Sequence, residues 1–293
     1  MYQKILFILT TLFLLTSCSS ERNERLTVSA TAWIGYSPLF YAKAKGWLEP
    51  LNIRILHVAS LSENMYLYEA GKSDAYVGTQ YEYNLLSHKD PSLVPVMLFD
   101  RSNGGDIVMS NMSIKELQNR QDMIDTYLEM DSINSTILEE FIAKYQLDNT
   151  IINYINNDQP QISILNIKNI KKPTIIVTYT PYDIALQKHG FKKIASTKDN
   201  LNLLVIDALF ATEKIFSNHK HQFVALKKLI DNAIGALEKN PEEFYKTVKP
   251  YMPELNYNEF RSSLDGIVWI NKTLSTELSK RMQDSSFPSR NLI

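Results

Sequence analysis

The chain has 293 residues and a single cysteine, Cys18. No internal disulfide can form, so stability rests on a packed core. It also lacks a charge imbalance. Lys and Arg number 31 against 32 Asp and Glu, a formal net charge of -1. A nucleic-acid partner needs a basic surface, and no long block of one sign supplies it. Metal-site spacing is missing too: the five histidines are scattered, without an H-E-x-x-H run. The esterase elbow G-x-S-x-G is absent. Gly71-Lys72-Ser73 looks like the end of a phosphate loop, but Tyr66 stands where the upstream glycine belongs. These absences predict no catalytic residue, no metal and no cofactor. There is no internal repeat and no low-complexity tract.

The one long apolar run is Ile5 to Leu15, preceded by Lys4. It is too short to span a bilayer as a helix and suits the core of a signal peptide. Leu15-Thr16-Ser17-Cys18 follows, then a polar stretch, Ser19 to Arg25. This resembles the lipobox of bacterial lipoproteins. The resemblance implies a signal peptide over residues 1–17, a lipidated Cys18 and a tether over 18–25. A lipid on Cys18 would anchor the chain at the membrane on the extracytoplasmic or periplasmic face of the cell envelope.

Beyond the tether, strand-like and helix-like runs alternate. Leu26 to Trp33 reads as a strand and Pro38 to Lys45 as a helix, with Ser37 as N-cap and Gly46 as its end. Strands at Asn52 to Val58, Ala75 to Gly78 and Leu93 to Phe99 alternate with helices at Ser62 to Ala70 and Tyr81 to His88. That order predicts a mainly parallel sheet with helices on its faces. Further strands are expected at Ile107 to Ser110, Met123 to Leu128, Thr150 to Tyr154, Thr174 to Tyr179, Ile194 and Leu203 to Ile206. Helices are expected at Ile114 to Arg120, Asn134 to Tyr145 and Pro181 to Lys188. Residues 159–167 stay open. From Asp207 onward the pattern reads as helical, with the best helix at His221 to Leu237.

Ligands of open α/β sheets bind beyond the carboxyl ends of the strands. Five such ends carry Trp33 to Ser37, Gly78 to Glu82, Asp100 to Asp106, Glu129 to Asn134, and Tyr179 to Asp183. Turn chemistry explains the Gly, Asn, Asp and Ser residues there. It does not explain Trp33, Tyr36 and Tyr179. Aromatic walls with a few polar groups are what a small-molecule pocket needs. The candidate ligand-binding residues are therefore Trp33, Tyr36, Ser37, Thr79, Gln80, Glu82, Asp100, Ser102, Asn103, Glu129, Ser132, Asn134, Tyr179 and Tyr182. Thr79 and Glu82 also suit a helix cap. Asp183 reads as an exposed first-turn carboxylate, and His219 and His221 read as solvated. If Glu82, Asp100 and Glu129 share one cleft, that cleft is acidic and favours a nitrogenous cation over an oxyanion.

The motifs Trp33-Ile34-Gly35-Tyr36-Ser37-Pro38-Leu39-Phe40, Gly71-Lys72-Ser73-Asp74-Ala75, Thr79-Gln80-Tyr81-Glu82, Asp100-Arg101-Ser102-Asn103-Gly104-Gly105-Asp106 and Val177-Thr178-Tyr179-Thr180-Pro181 occur in this order. Together they resemble the periplasmic substrate-binding proteins of the nitrate/sulfonate/taurine and thiamine-pyrimidine-precursor group, over about residues 26–210. The resemblance implies a two-lobed α/β fold of the type II periplasmic-binding-protein kind with a helical C-terminal tail. It places lobe 1 at 26–104 and 207–293 and lobe 2 at 105–206, with crossings near Gly104–Asp106 and Ile206–Asp207. It implies a non-enzymatic binder that hands a small molecule to the permease of an ABC importer. The chain departs from the group at Thr180, where relatives often have an acidic residue, and at Gln118 to Asp122, which lacks a Gly-Lys-rich turn. A ligand-sensing lipoprotein without transport, a pyrimidine-synthesis enzyme and a surface adhesin remain alternatives. The enzyme would use a cysteine-rich motif, and this chain has none.

Overall fold

The computed structural model describes residues 24–148, 150–198, 201, 203–284, 287–288 and 292–293. The apolar leader, Cys18 and most of the tether therefore lie outside the described residues. Among the described residues, no helix is long and apolar enough to cross a membrane.

The chain opens with β1 (Leu26–Ala30), α1 (Ser37–Ala44), β2 (Ile53–His57), α2 (Leu61–Glu69), β3 (Ala75–Thr79), α3 (Gln80–Lys89) and β4 (Leu93–Ser102). It continues with β5 (Asp106–Ser110), α4 (Ile114–Gln118), β6 (Ile124–Leu128), α5 (Ile133–Lys144), β7 (Ile152–Asn156), α6 (Gln159–Ser163), β8 (Thr174–Tyr179), α7 (Tyr182–Lys188) and β9 (Lys192–Ser196). The tail holds β10 (Ile206–Thr212), α8 (Glu213–Asn218), α9 (Lys220–Lys239), α10 (Pro241–Val248), α11 (Tyr257–Ser263), β11 (Ile267–Trp269) and α12 (Thr276–Asp284).

Two sheets result, each forming a lobe with its helices. The first has six strands in the order β11-β4-β10-β3-β1-β2, and the second has five in the order β7-β6-β8-β5-β9. Both are mixed. The βαβ half of each is parallel, as β1–β2, β1–β3, β6–β7 and β6–β8. The other half is antiparallel, because β5 and β10 enter just after the chain has changed sheets and run against their neighbours. So the expectation of parallel strands holds for the βαβ half of each sheet. β3, β5 and β8 are buried along their whole length. Such strands need apolar residues on both faces, and Ile175, Ile176 and Val177 in β8 supply them.

The helical reading from Asp207 onward is corrected. Residues 206–212 form β10, the strand between β3 and β4 in the first sheet. Ile-Asp-Ala-Leu-Phe-Ala-Thr is buried on both faces, so it shows no period of two, and its length alone marks it as a strand. The open stretch after residue 159 contains α6, capped by the Asp158 side chain, which accepts from the Gln161 N–H at 2.8 Å. The long helix α9 buries Phe223, Leu226, Ile230, Ala233, Ile234 and Leu237, a stripe at helical spacing that packs on α1. The helical tail thereby attaches to the first lobe.

Candidate functional site

Four strand-to-helix turns meet where the lobes face each other: β1 to α1, β3 to α3, β6 to α5 and β8 to α7. Helix starts carry free N–H groups and the positive end of the helix dipole. Here each lobe supplies a carboxylate to a helix start in the other. Glu82 Oε2 accepts from the Thr79 N–H at 2.7 Å and from its hydroxyl at 2.6 Å, completing a capping box on α3. Its Oε1 accepts from the Ile133 N–H at 3.0 Å, at the start of α5. In return, Glu129 Oε1 accepts from the Ser62 N–H at 2.7 Å and from its hydroxyl at 3.1 Å, at the start of α2. Ser132 caps α5 and donates to the Glu129 carbonyl at 2.7 Å.

Between these pairs lies a small cavity of about 10 Å3, lined by Thr31, Trp33, Tyr36, Thr79, Asp106, Tyr179 and Asp207, among others. It has room for roughly one water. Trp33 crosses the lobe boundary. Its Nε1 donates to Asp100 at 3.2 Å, and its ring meets Tyr179 edge-on with centroids 5.9 Å apart. Tyr179 meets Tyr182 in the same way at 5.5 Å. The Tyr36 hydroxyl donates to Asp207. Two glycines make room for the indole. A Cβ on Gly35 would stand 1.9 Å from Asp100 Oδ2 and 2.5 Å from Trp33 Nε1, and one on Gly105 would stand 2.3 Å from Trp33 Cη2.

Electrostatically the base of the cleft is one-sided. Glu82, Asp100, Asp106, Glu129 and Asp207 are all buried, while no Lys or Arg is buried among the described residues. Burial pushes the pKa of each carboxyl up. Asp106 and Glu129 are raised to about 7. Asp100 and Asp207 rise well above the usual carboxylate range, first by burial and then by their acidic neighbours. Burial raises Glu82 as well, against the hydrogen bonds it accepts. Several buried polar atoms have no protein partner: Asp100 Oδ2, Asp106 Oδ2, Glu129 Oε2, Tyr179 OH, Thr31 Oγ1, Ser37 Oγ and both ends of the Asn134 amide. Such atoms are costly unless something else bonds to them. Three of them are carboxyl oxygens, which in the ionised form accept only, so the arrangement suits a ligand that donates hydrogen bonds and carries positive charge.

The sequence candidates divide into three groups. Trp33, Tyr36, Thr79 and Tyr179 line the small cavity, Glu82, Asp100 and Glu129 are buried behind it on Thr79, Trp33 and Ser62, and Ser37, Ser132 and Asn134 stand at the adjoining helix starts. Tyr182 stands one ring further out. Gln80, Ser102 and Asn103 instead pin the crossings between the sheets. The Gln80 amide donates to the Leu204 carbonyl and accepts from the Ile206 N–H at 2.9 Å. The Ser102 and Thr197 hydroxyls are 2.7 Å apart, and the Asn103 N–H donates to the Gly266 carbonyl at 2.8 Å. Three expectations are corrected. Ser37 is the first helical residue of α1, and Tyr36 occupies the N-cap position without a side-chain cap bond. Asp183 is buried and accepts from the Gln187 amide at 2.8 Å, because α7 lies against the second sheet. His219 is buried beside Gln222, since the Gln222 amide ties α9 to the carbonyls of Glu24 and Leu51. Reasoning from sequence missed Thr31, Asp106, Ile133 and Asp207. Asp207 sits in the strand read as helix; Asp106 and Asp207 lay at the two crossings that the resemblance implied, and Ile133 lay in the Glu129 to Asn134 strand end, but none of them was read as a site residue.

No protein-family model matches the chain, and no curated protein matches it. Solved structures do. The alkanesulfonate-binding protein of Xanthomonas axonopodis pv. citri, bound to MOPS, superposes with a TM-score of 0.70 at 12% identity, over 92% of this chain and 98% of its own. The periplasmic nitrate-binding protein of Synechocystis PCC 6803 gives 0.63 at 12% identity, over 86% and 74%. A Candida albicans protein with the generic periplasmic binding protein structural fold gives 0.62 at 11%, over 85% and 83%. The chain has the periplasmic-binding-protein fold. The cleft at its lobe boundary is where this fold offers a site between two α/β layers.

Proposed function

We propose that the chain is an extracytoplasmic solute-binding protein that captures a small, positively charged nitrogen compound by closure of its two lobes. The lobes divide at 104/105 and 206/207, as the crossings between the sheets suggest. One observation carries the reading: buried Asp106 and Asp207 line the interlobe cavity, buried Glu82, Asp100 and Glu129 lie close behind them, and no buried cation among the described residues balances the five. Ionised like charges in a dry site repel, and a bound ammonium, amidinium or protonated heterocycle relieves that repulsion. A ligand that contacts both lobes binds the closed form better and shifts the population toward it. Trp33, Tyr36, Glu82, Asp106, Glu129, Tyr179 and Asp207 would make the contacts.

The closed form would present its cargo to the permease of an ABC importer. The similarity of fold to a ligand-binding component of an ABC-type import system from Staphylococcus aureus supports this part of the reading. A lipid on Cys18 would hold the protein at the membrane and raise its concentration near the permease. No reaction chemistry is required of the site.

A thermal-shift screen tests the reading. Amines, amidines and aminopyrimidines should raise the melting temperature at pH 8, and the Glu129→Gln and Asp106→Asn variants should respond at least tenfold less sensitively. Stabilisation by sulfonates or nitrate alone would overturn it.

A further inference from the structure

A second and much larger pocket lies beside the acidic base. Its volume is about 500 Å3, within the usual size of a small-molecule site. Both lobes build it. The first contributes Ala32, His57 and Tyr251, and the second contributes Ile164, Tyr182 and Ala185. It therefore exists as a pocket only when the lobes are together. Ala32 and Tyr182 connect it to the base: Ala32 precedes Trp33, and Tyr182 meets Tyr179 edge-on. Trp33, Tyr179 and Tyr182 thus form a row of rings from the small cavity to the large one. The facing wall is aromatic as well. Tyr251 stacks on Phe40 at 4.7 Å, and His57 meets Phe40 edge-on at 5.1 Å. Burial lowers the His57 pKa below its ordinary value, which disfavours the charged ring. Ile164 is 74% exposed, an apolar side chain at the pocket edge without cover from its own chain.

The two cavities differ in size and chemistry. The base has room for about one water, so it fits a single charged group and little more. The outer pocket has room for a body, and its walls are mainly rings and aliphatic carbons, with Ser163, Lys188 and Glu254 as polar exceptions. We propose that the ligand has two parts: a protonated nitrogen directed at the acidic base and a planar aromatic or heteroaromatic body seated in the outer pocket between Tyr182 and Tyr251. This rests on the cationic-ligand reading above and adds the seat and chemical class of the body. Charge complementarity sets the orientation. Five buried carboxyls lie at the inner end, while the outer pocket has a single, exposed one, Glu254, and its Lys188 is engaged by Glu259 at 2.9 Å. Aromatic walls favour a flat ring through edge and face contacts.

Isothermal titration calorimetry at pH 8 with a graded set of probes tests this. The probes are methylammonium, benzylammonium and tryptammonium, with 1-naphthalenesulfonate as a ring without a cation. Affinity should rise along the ammonium series, with tryptammonium at least about 30-fold tighter than methylammonium, as burial of a ring predicts. In Tyr251→Ala that ratio should fall below about fivefold. In Ala185→Trp, whose new indole would fill the pocket from α7, it should fall in the same way, so the test does not depend on one variant folding. Ammonium probes that bind within threefold of one another would overturn the two-part ligand and leave the cationic reading standing. If no ammonium probe binds, or naphthalenesulfonate binds more tightly than all of them, the cationic reading falls and the two-part ligand falls with it.

Discussion

Two of the carboxylates that join the lobes, Glu129 and Glu259, sit in environments that push them in opposite directions. Glu129 joins them at the base of the cleft, buried, accepting from the backbone and hydroxyl of Ser62. Glu259 does so at the rim, where its side chain is 20% exposed and meets Lys188 at 2.9 Å. Burial raises Glu129 to about 7. Glu259 is held below its ordinary value, first by the Asn256 N–H at 2.8 Å and then by Lys188. The rim pair is thus complete in itself. The base pair is not, because its charged form has hydrogen-bond donors but no countercharge. That asymmetry separates a contact that merely holds two surfaces together from one that also asks for a cation.

The largest consequence concerns pH. A carboxyl raised from 4.5 to about 7 in the closed form keeps a proton that the open, solvated form releases. Below about pH 4.5 both forms are protonated and nothing changes. Between there and about pH 7 the closed form loses stability as pH rises, by up to about 3 kcal/mol for Glu129, and above pH 7 the loss is complete. Small-angle scattering of the ligand-free protein should therefore show the radius of gyration rising between pH 5 and pH 8. Glu129→Gln keeps the acceptor for Ser62 without the charge and should reduce that rise, leaving the part that Asp106, also raised to about 7, contributes. If the variant follows the same profile as the parent, Glu129 is not the group whose charge opens the cleft.

The next effect is steric. Gly35→Ala places a methyl 1.9 Å from Asp100 Oδ2 and 2.5 Å from Trp33 Nε1. The indole and its hydrogen bond at 3.2 Å must move. The expected cost is about 1–3 kcal/mol, read as a lower denaturant midpoint with an unchanged slope. Gly235 in α9 is the control, since nothing lies within 4 Å of its added Cβ. Gly235→Ala should be neutral or stabilise the helix by about 0.5–1 kcal/mol. Equal losses in both variants would mean that the space around Trp33 is not what Gly35 protects.

The base of the cleft was partly visible in the sequence, and the reason differs from residue to residue. Trp33 and Tyr179 stood out because turns do not call for large rings. Glu82 was visible twice, as a cap and as a ligand contact, and its two oxygens do face two helix starts. The alternation of strands and helices up to residue 196 followed from Gly46, Gly71 and Gly190, which end helices with positive φ, and from the apolar runs between them. Asp207 was invisible because β10 is buried on both faces and carries no alternation. The burial of Asp183 and His219 was invisible for another reason: it arises from elements packed across the fold, and neither residue's neighbours in the chain announce it. The outer pocket was out of reach altogether. Tyr251 and Tyr182 are 69 positions apart and meet only when the lobes do.

The smallest effect belongs to the rim. Lys188 and Glu259 are 54% and 20% exposed in their side chains, so solvent screens their attraction. Lys188→Ala should cost less than about 1 kcal/mol of closure, and the difference from the parent should shrink further as salt is raised from 0.05 to about 0.5 M. Its effect should also be flat from pH 5 to pH 8, because Glu259 is held below its ordinary value and stays ionised throughout. Scattering curves of Lys188→Ala and Glu129→Gln across the same pH series would set the two contacts side by side. A rim variant that opened more readily as pH rose would show that Lys188 and Glu259 share the electrostatics of the base, and the division between the two ends of the cleft would fail.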